Sequence, residues 1–194
     1  MSAGARVPLL WGFGVATKLV ALLAVACERI EIAGSIRRRR PMIGDVEIVC
    51  IPRAADVQFD LVGEPVSTSS PLDRALGHLF NEGVLEPHEK RAMGGKYKRL
   101  WYPFDENEPA ARYGDGIQVD LFIVTPPAEW GPALLIRTGP ADFSRRMVTR
   151  LRDYRRRCED LRIQTFEGAH VPCPTEEEFF ALCQMPFIPP ERRS

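Results

Sequence analysis

The sequence predicts an α+β fold. Three observations carry the prediction: apolar residues at helical spacing near the N-terminus, two strand-like segments at 45–51 and 117–124, and a turn to helical, arginine-rich composition after Pro126-Pro127.

The elements follow in chain order. Ala16, Leu19, Val20, Leu22, Leu23 and Ala26 share one helix face, which predicts a helix over residues 14–27. The apolar run from Val7 to Cys27, with Arg6 before it and Ala24-Val25-Ala26-Cys27 at its end, also has the outline of a secretion signal. Lys18 interrupts it, and a buried helix is the simpler reading. A short strand is expected over Ile30 to Ala33, broken by Gly34-Ser35, with a basic loop at Arg37 to Arg40. Asp45 to Ile51 alternates acidic and apolar residues as a strand does, and Pro52 ends it. Leu61 to Pro71 is rich in turn formers and reads as loop. Leu72, Ala75, Leu76 and Leu79 predict a helix ending near Gly83. Lys96 to Phe104 is expected to be a strand, Asp105 to Gly116 a polar loop, and Ile117 to Val124 the strongest strand of the chain. Beyond Pro126-Pro127, helices are predicted over Trp130 to Ile136 and Asp142 to Arg157. Thr175 and Glu178 form a capping-box pattern before Phe179. These signals divide the chain into a larger unit, 1–126, and a smaller one, 127–194.

Length and charge narrow the options. A chain of 194 residues can bury a real core. The 26 basic and 26 acidic residues cancel, so no whole-molecule field draws it to nucleic acid or membrane, and any phosphate binding must come from local clusters. Five cysteines without a CxxC pair argue against a disulfide framework and against zinc, and suit a reducing cytoplasm.

Chemistry concentrates in two places. Gly34-Ser35-Ile36-Arg37-Arg38 offers close backbone approach, a hydroxyl donor and planar guanidinium forks, which suit the phosphates of a nucleoside triphosphate. After Gly44, Asp45 and Glu47 point to one face of their strand, where mutually repelling carboxylates become favourable once divalent cations bridge them. Asp120 lies within the apolar strand Gln118-Val119-Asp120-Leu121-Phe122, where an acid is costly to bury without a partner. His78, His88 and His170 match no ligand spacing, and Cys50, Trp101, Tyr102 and Trp130 read as packing residues.

The string GSIRRRRPMIGDVEIV, residues 34–49, resembles the signature of the family X DNA polymerases of the nucleotidyltransferase superfamily. Arg137-Thr138-Gly139-Pro140 with Asp142-Phe143-Ser144 is similar to that family's tyrosine-phenylalanine-threonine-glycine-serine stretch under the incoming nucleotide, and residues 174–192 resemble its closing segment. The resemblance implies a mixed, mainly antiparallel palm sheet backed by helices, then a small thumb-like subdomain. It implies that Asp45, Glu47 and Asp120 hold Mg2+, with Mn2+ as an alternative ion, and that Asp120 activates the attacking hydroxyl. Gly34, Ser35, Arg38 and Gly44 correspond to the triphosphate-binding positions, and Thr138 and Gly139 to the turn under the nucleotide. A cis Gly139-Pro140 bond is expected on the same ground.

This chain departs from the pattern at several positions. Glu47 replaces an aspartate, Ile136-Arg137 replaces the aromatic pair, Ala141, Ser144 and Val148 stand where larger polar groups occur, and nothing resembles a helix-hairpin-helix motif. Arg145, Arg146, Arg150, Arg152, Arg155, Arg156, Arg157 and Arg162 read equally as a basic surface for template or primer phosphates and as an ordinary solvated helix face. The resulting expectation is a monomeric cytoplasmic enzyme, free of membranes, that extends a primer or fills gaps in DNA repair or replication. One alternative is template-independent addition of a nucleotide to RNA, a protein or a small molecule; another is an inactive palm serving as a binding module.

Overall fold

The computed structural model describes residues 6–55, 58–59, 62, 65–66, 69–88 and 93–194. Strand β1 (Val7–Pro8) leads into helix α1 (Leu9–Leu23), which Pro8 caps with a backbone φ of −55°, close to the value proline imposes at a helix start. The helix begins before the predicted residue 14 and stops short of Cys27, because a 3-10 turn over Ala24–Ala26 unwinds it and Cys27 opens the next strand. Gly12 and Gly14 weaken the local helical signal. Packing of Gly12 against Ile43, 3.1 Å from where a Cβ would stand, overrides it. By length and composition Leu9–Ala26 could cross a membrane, yet Val15, Ala16, Leu19 and Leu23 belong to the main core.

The main sheet contains β2 (Cys27–Ile32), β4 (Asp45–Pro52), β7 (Glu86–Pro87), β8 (Tyr97–Pro103) and β9 (Gly116–Ile123) in the order β2-β4-β9-β8-β7. Only β4 and β9 pair in parallel, so the sheet is mixed and mainly antiparallel as expected. Alternation sorts the side chains by face. Val46, Ile48, Cys50, Leu100, Val119 and Leu121 form one face and bury against α1 and α3 (Pro71–Asn81), whose start Ser70 caps by accepting from the Asp73 amide. The other face carries Asp45, Glu47 and Val49 on β4, Gln118, Asp120 and Phe122 on β9, and Tyr97 and Arg99 on β8. Short pairs complete the larger unit: β3 (Met42–Ile43) with β1, and β5 (Gln58–Phe59) with β6 (Pro65–Val66). In the loop expected over 61–71, Pro65–Val66 form β6 and Pro71 opens α3, while residues 61, 63–64 and 67–68 lie outside the described residues.

After Pro126-Pro127, itself a cis bond, the chain enters α4 (Trp130–Thr138) and α5 (Ala141–Arg150). α4 lays Trp130, Ala133 and Leu134 on Val49 and Phe122, covering the apolar end of the second sheet face. Its other side joins Phe143, Met147, Leu151, Ile163, Phe179 and Phe180 in a separate core. The helix predicted over Asp142–Arg157 ends at Arg150, and a 3-10 turn runs over Leu151–Tyr154. Arg155 then takes a left-handed φ of 56°, and β10 (Arg156–Glu159) pairs with β11 (Arg162–Thr165). Asp160 and Leu161, at φ 48° and 61°, form the two-residue turn. Without Gly or Asn there, the hairpin has no sequence signal. Helix α6 (Glu176–Leu182) starts with the expected capping box: Thr175 accepts from the Glu178 amide, and Glu178 accepts from the Thr175 amide.

Candidate active site

The extended residue Ala33 donates its amide to the Glu47 carbonyl at 2.8 Å, which locks the turn after β2 to the acid-bearing strand. Gly34 follows with φ 61°, a conformation that costs any other residue. A Cβ on it would overlap the Glu47 carboxylate, so the acid lies directly against the glycine backbone. The single turn α2 (Gly34–Arg37) then aims its arginines toward the C-terminal unit. Arg37 donates to the Thr138 hydroxyl at 2.7 Å, and Arg38 donates to the Thr138 carbonyl. Ser35 Oγ and Arg38 Nε are buried with no hydrogen-bond partner among the described residues. A Cβ at Gly44 would meet nothing within 4 Å, so internal packing does not demand glycine there.

The parallel register pairs Asp45 with Gln118 and Glu47 with Asp120. All three predicted carboxylates therefore rise from adjacent positions of one sheet face. Burial and repulsion from Asp120 raise the Asp45 carboxyl above its ordinary value. Glu47 is pushed up to about 7, chiefly by burial and then by Asp45, against the pull of Arg38. Asp120 is held by a fan of donors: Tyr97 hydroxyl at 2.6 Å, Gln118 Nε2 at 3.0 and 3.1 Å, and Arg99 Nε at 3.3 Å. Arg99 also donates to the Tyr97 oxygen at 2.8 Å. Among the described residues no three His, Cys, Asp or Glu side chains stand as a ready-made metal cage. With Glu47 against Gly34 and Asp120 engaged by donors, the trio faces one space without enclosing a point.

Several residues that the sequence did not single out complete this face. Tyr97, Arg99 and Gln118 were hidden because only the sheet register brings them to Asp120. Arg137, at the end of α4, lies 4.0 Å over the Phe122 ring, where burial lowers its pKa while Glu47, Tyr97 and Asp120 raise it. Glu176 and Arg193 are more distant still. Arg37 meets Glu176 at 2.7 Å, and Arg193, 1% exposed, meets it at 2.8 Å.

The turn between α4 and α5 has Gly139 at φ 65° and the expected cis Gly139-Pro140 bond. Beyond it come α5, the β10–β11 hairpin and the capped α6, closing with Arg193 donating to the Ile188 carbonyl at 2.9 Å. Residues 133–194 match the DNA polymerase beta thumb family. The match covers the C-terminal unit from within α4 onward and supports a relationship to the family X DNA polymerases. In this thumb-like segment the predicted basic surface is partly spent internally. Arg145, Arg155 and Arg157 pair with Asp142, Glu167 and Glu159, while Arg150 and Arg156 donate to the Cys183 and Leu182 carbonyls. No curated protein matches the chain.

Proposed function

We propose that the chain is a DNA polymerase beta-like nucleotidyltransferase that adds a nucleotide from a deoxynucleoside triphosphate to a 3′-hydroxyl and releases pyrophosphate. The observation that carries the reading is the shared face of Asp45, Glu47 and Asp120 beside Gly34 and Arg38, next to a thumb-like segment. The donor chemistry suits hard divalent cations: three carboxylates share one sheet face, and two of them are held above their ordinary pKa by burial and by repulsion from a neighbouring acid. Asp45, Glu47 and Asp120 would hold Mg2+ or Mn2+. When bound, such ions supply activation of the attacking hydroxyl and neutralisation of the departing pyrophosphate.

The chain's own groups do the rest. Ser35 Oγ and Arg38 Nε, buried and unpaired, are donors awaiting phosphate oxygens. Gly34 and Gly44 keep the backbone approachable, and Thr138 and Gly139 form the floor under the sugar and base. Tyr97, Gln118 and Arg99 fix the orientation of Asp120, which takes the proton from the primer hydroxyl. Residues 1–126 act as the palm and 127–194 as the thumb-like unit, in a cytoplasmic monomer serving DNA repair or replication.

The test is extension of a labelled, one-nucleotide-gapped duplex with each deoxynucleotide singly, in Mg2+ and in Mn2+, beside Asp120→Ala. Template-matched addition that the variant loses supports the proposal. Addition regardless of template points to a template-independent transferase, and no addition on DNA, RNA or small-molecule acceptors sinks the catalytic reading.

A further inference from the structure

Strand β2 ends the main sheet, with β4 on one side and, among the described residues, no strand on the other. The Ala33 amide reaches the Glu47 carbonyl, so antiparallel alternation turns the backbone groups of Glu31 toward β4 and those of Ile30 and Ile32 outward. An irregularity between Cys27 and Arg29 limits the open stretch to Glu28–Ile32, which contains no proline. Arg29 and Glu31, with side chains 42% and 37% exposed, pair with each other at 3.0 Å. Beside this edge Leu10, Phe13, Ile32 and Ile36 line an apolar groove of about 510 Å³.

We infer that this edge joins two copies of the chain, β2 to β2 and antiparallel, about a two-fold axis at Ile30, a contact independent of the reaction proposed above. Charge selects the register. Within the open stretch, outward backbone groups meet when Ile30 faces Glu28, Ile30 or Ile32 of the second copy. Facing Glu28 sets Arg29 against Arg29, and facing Ile32 sets Glu31 against Glu31; like charges directly opposite repel. Facing Ile30 instead sets each Arg29 against Glu31 of the other copy, so two opposite-charge pairs flank the axis. The charges that blunt this edge against slipped or foreign strands therefore admit its own copy in one register.

The apolar residues agree. Ile30 and Ile32 lie half-buried against the main core, and the second strand covers them further. The same register carries Val25 of the second copy, 77% exposed, past Ile32 toward the apolar groove. Arg29 and Glu31 pair with Ile51 and Val49, on the face that carries Asp45 and Glu47, so both acid faces open on one side of a continuous sheet. The monomer expected from the sequence is then the dilute form and the dimer the concentrated one.

Sedimentation velocity of the full chain over a concentration series, at low and high salt, measures the association. The wild type is expected to dimerise with a Kd on the order of 10 µM, in the weak and transient class, and less tightly at high salt. Glu31→Arg sets arginine against Arg29 at both pairs and should weaken the dimer by at least about tenfold. Arg29→Glu should do the same. The double variant Arg29→Glu/Glu31→Arg restores opposite charges across the axis and should recover the wild-type Kd within about threefold. Thermal melts of the three variants check that each is folded. A wild type that stays monomeric at the highest concentration overturns the interface. Single variants that associate as the wild type does, or a double variant no better than either single one, overturn it as well.

Discussion

The Arg37 guanidinium donates to the Thr138 hydroxyl at 2.7 Å, joining residues 101 positions apart. The same arginine meets Glu176 at 2.7 Å, and Glu176 in turn meets the buried Arg193 at 2.8 Å. One acid thus ties the loop after β2 to both the start of α6 and the closing segment. Glu176→Ala should lower unfolding stability by about 3–5 kcal/mol in urea, because it leaves Arg193 buried and uncompensated. Arg37→Ala should cost less, about 1.5–3 kcal/mol, since Glu176 keeps its second arginine.

At Gly34, a methyl group meets two obstacles at once. The backbone sits at φ 61°, and the added Cβ would overlap the Glu47 carboxylate. The conformational term alone is about 1–2 kcal/mol. Gly34→Ala is expected to fold less stably and to lose nucleotide addition, whereas Gly44→Ala, where a Cβ meets no protein atom within 4 Å, should fold normally. A wild-type melting temperature for Gly34→Ala would contradict the close approach.

Glu47 makes stability depend on pH. Its carboxyl is pushed up to about 7 in the folded chain, against roughly 4.3 when unfolded. Between those values the folded protein keeps a proton that the unfolded chain has released, so stability falls as pH rises through the window. The loss should not exceed about 3.7 kcal/mol, at about 1.36 kcal/mol for each of roughly 2.7 pH units, and is complete a little above pH 7. Denaturant unfolding at pH 5 and pH 8 without divalent ions would reveal it. Glu47→Gln should flatten the difference, and Mg2+ at pH 8 should restore stability if the trio binds it.

Helix α1 offers a packing test. Leu19 is fully buried and Leu10 is 72% exposed on the same helix. Leu19→Ala should cost about 2–5 kcal/mol and Leu10→Ala less than about 0.5. Equal costs would mean that α1 is not held by the sheet as described.

Much of the fold was legible because periodicity and burial agree. Asp45 to Ile51 and Ile117 to Val124 read as strands from alternation or apolar density, and they form β4 and β9 within a residue. The capping box at Thr175 was likewise readable from local residue types, and the cis bond before Pro140 was expected from the family resemblance. The β10–β11 hairpin was not, since its turn uses Asp160 and Leu161 where glycine or asparagine would signal φ above zero. The candidate site divides in the same way. Asp45, Glu47 and Asp120 stand out as acids in apolar strands, but Tyr97 and Arg99 reach Asp120 only through cross-strand register, and Glu176 and Arg193 only through tertiary docking. Those relationships have no local pattern to betray them.

Because β4 and β9 run in the same direction side by side, the spacing of their acids depends on one hydrogen-bonded ladder. A one-residue slip would exchange Asp120 for an apolar neighbour at the cleft and bury the acid. The chain that connects the two strands carries α3, β7 and β8, which the core and the ladder fix together with Tyr97 and Arg99, but its exposed turns are under no such constraint. Insertions or deletions in its exposed turns change neither ladder nor spacing, and long surface loops cost little closure entropy. Those turns are therefore where descendants of this sequence are free to vary in length, and where an engineer could graft a foreign domain without disturbing the acids.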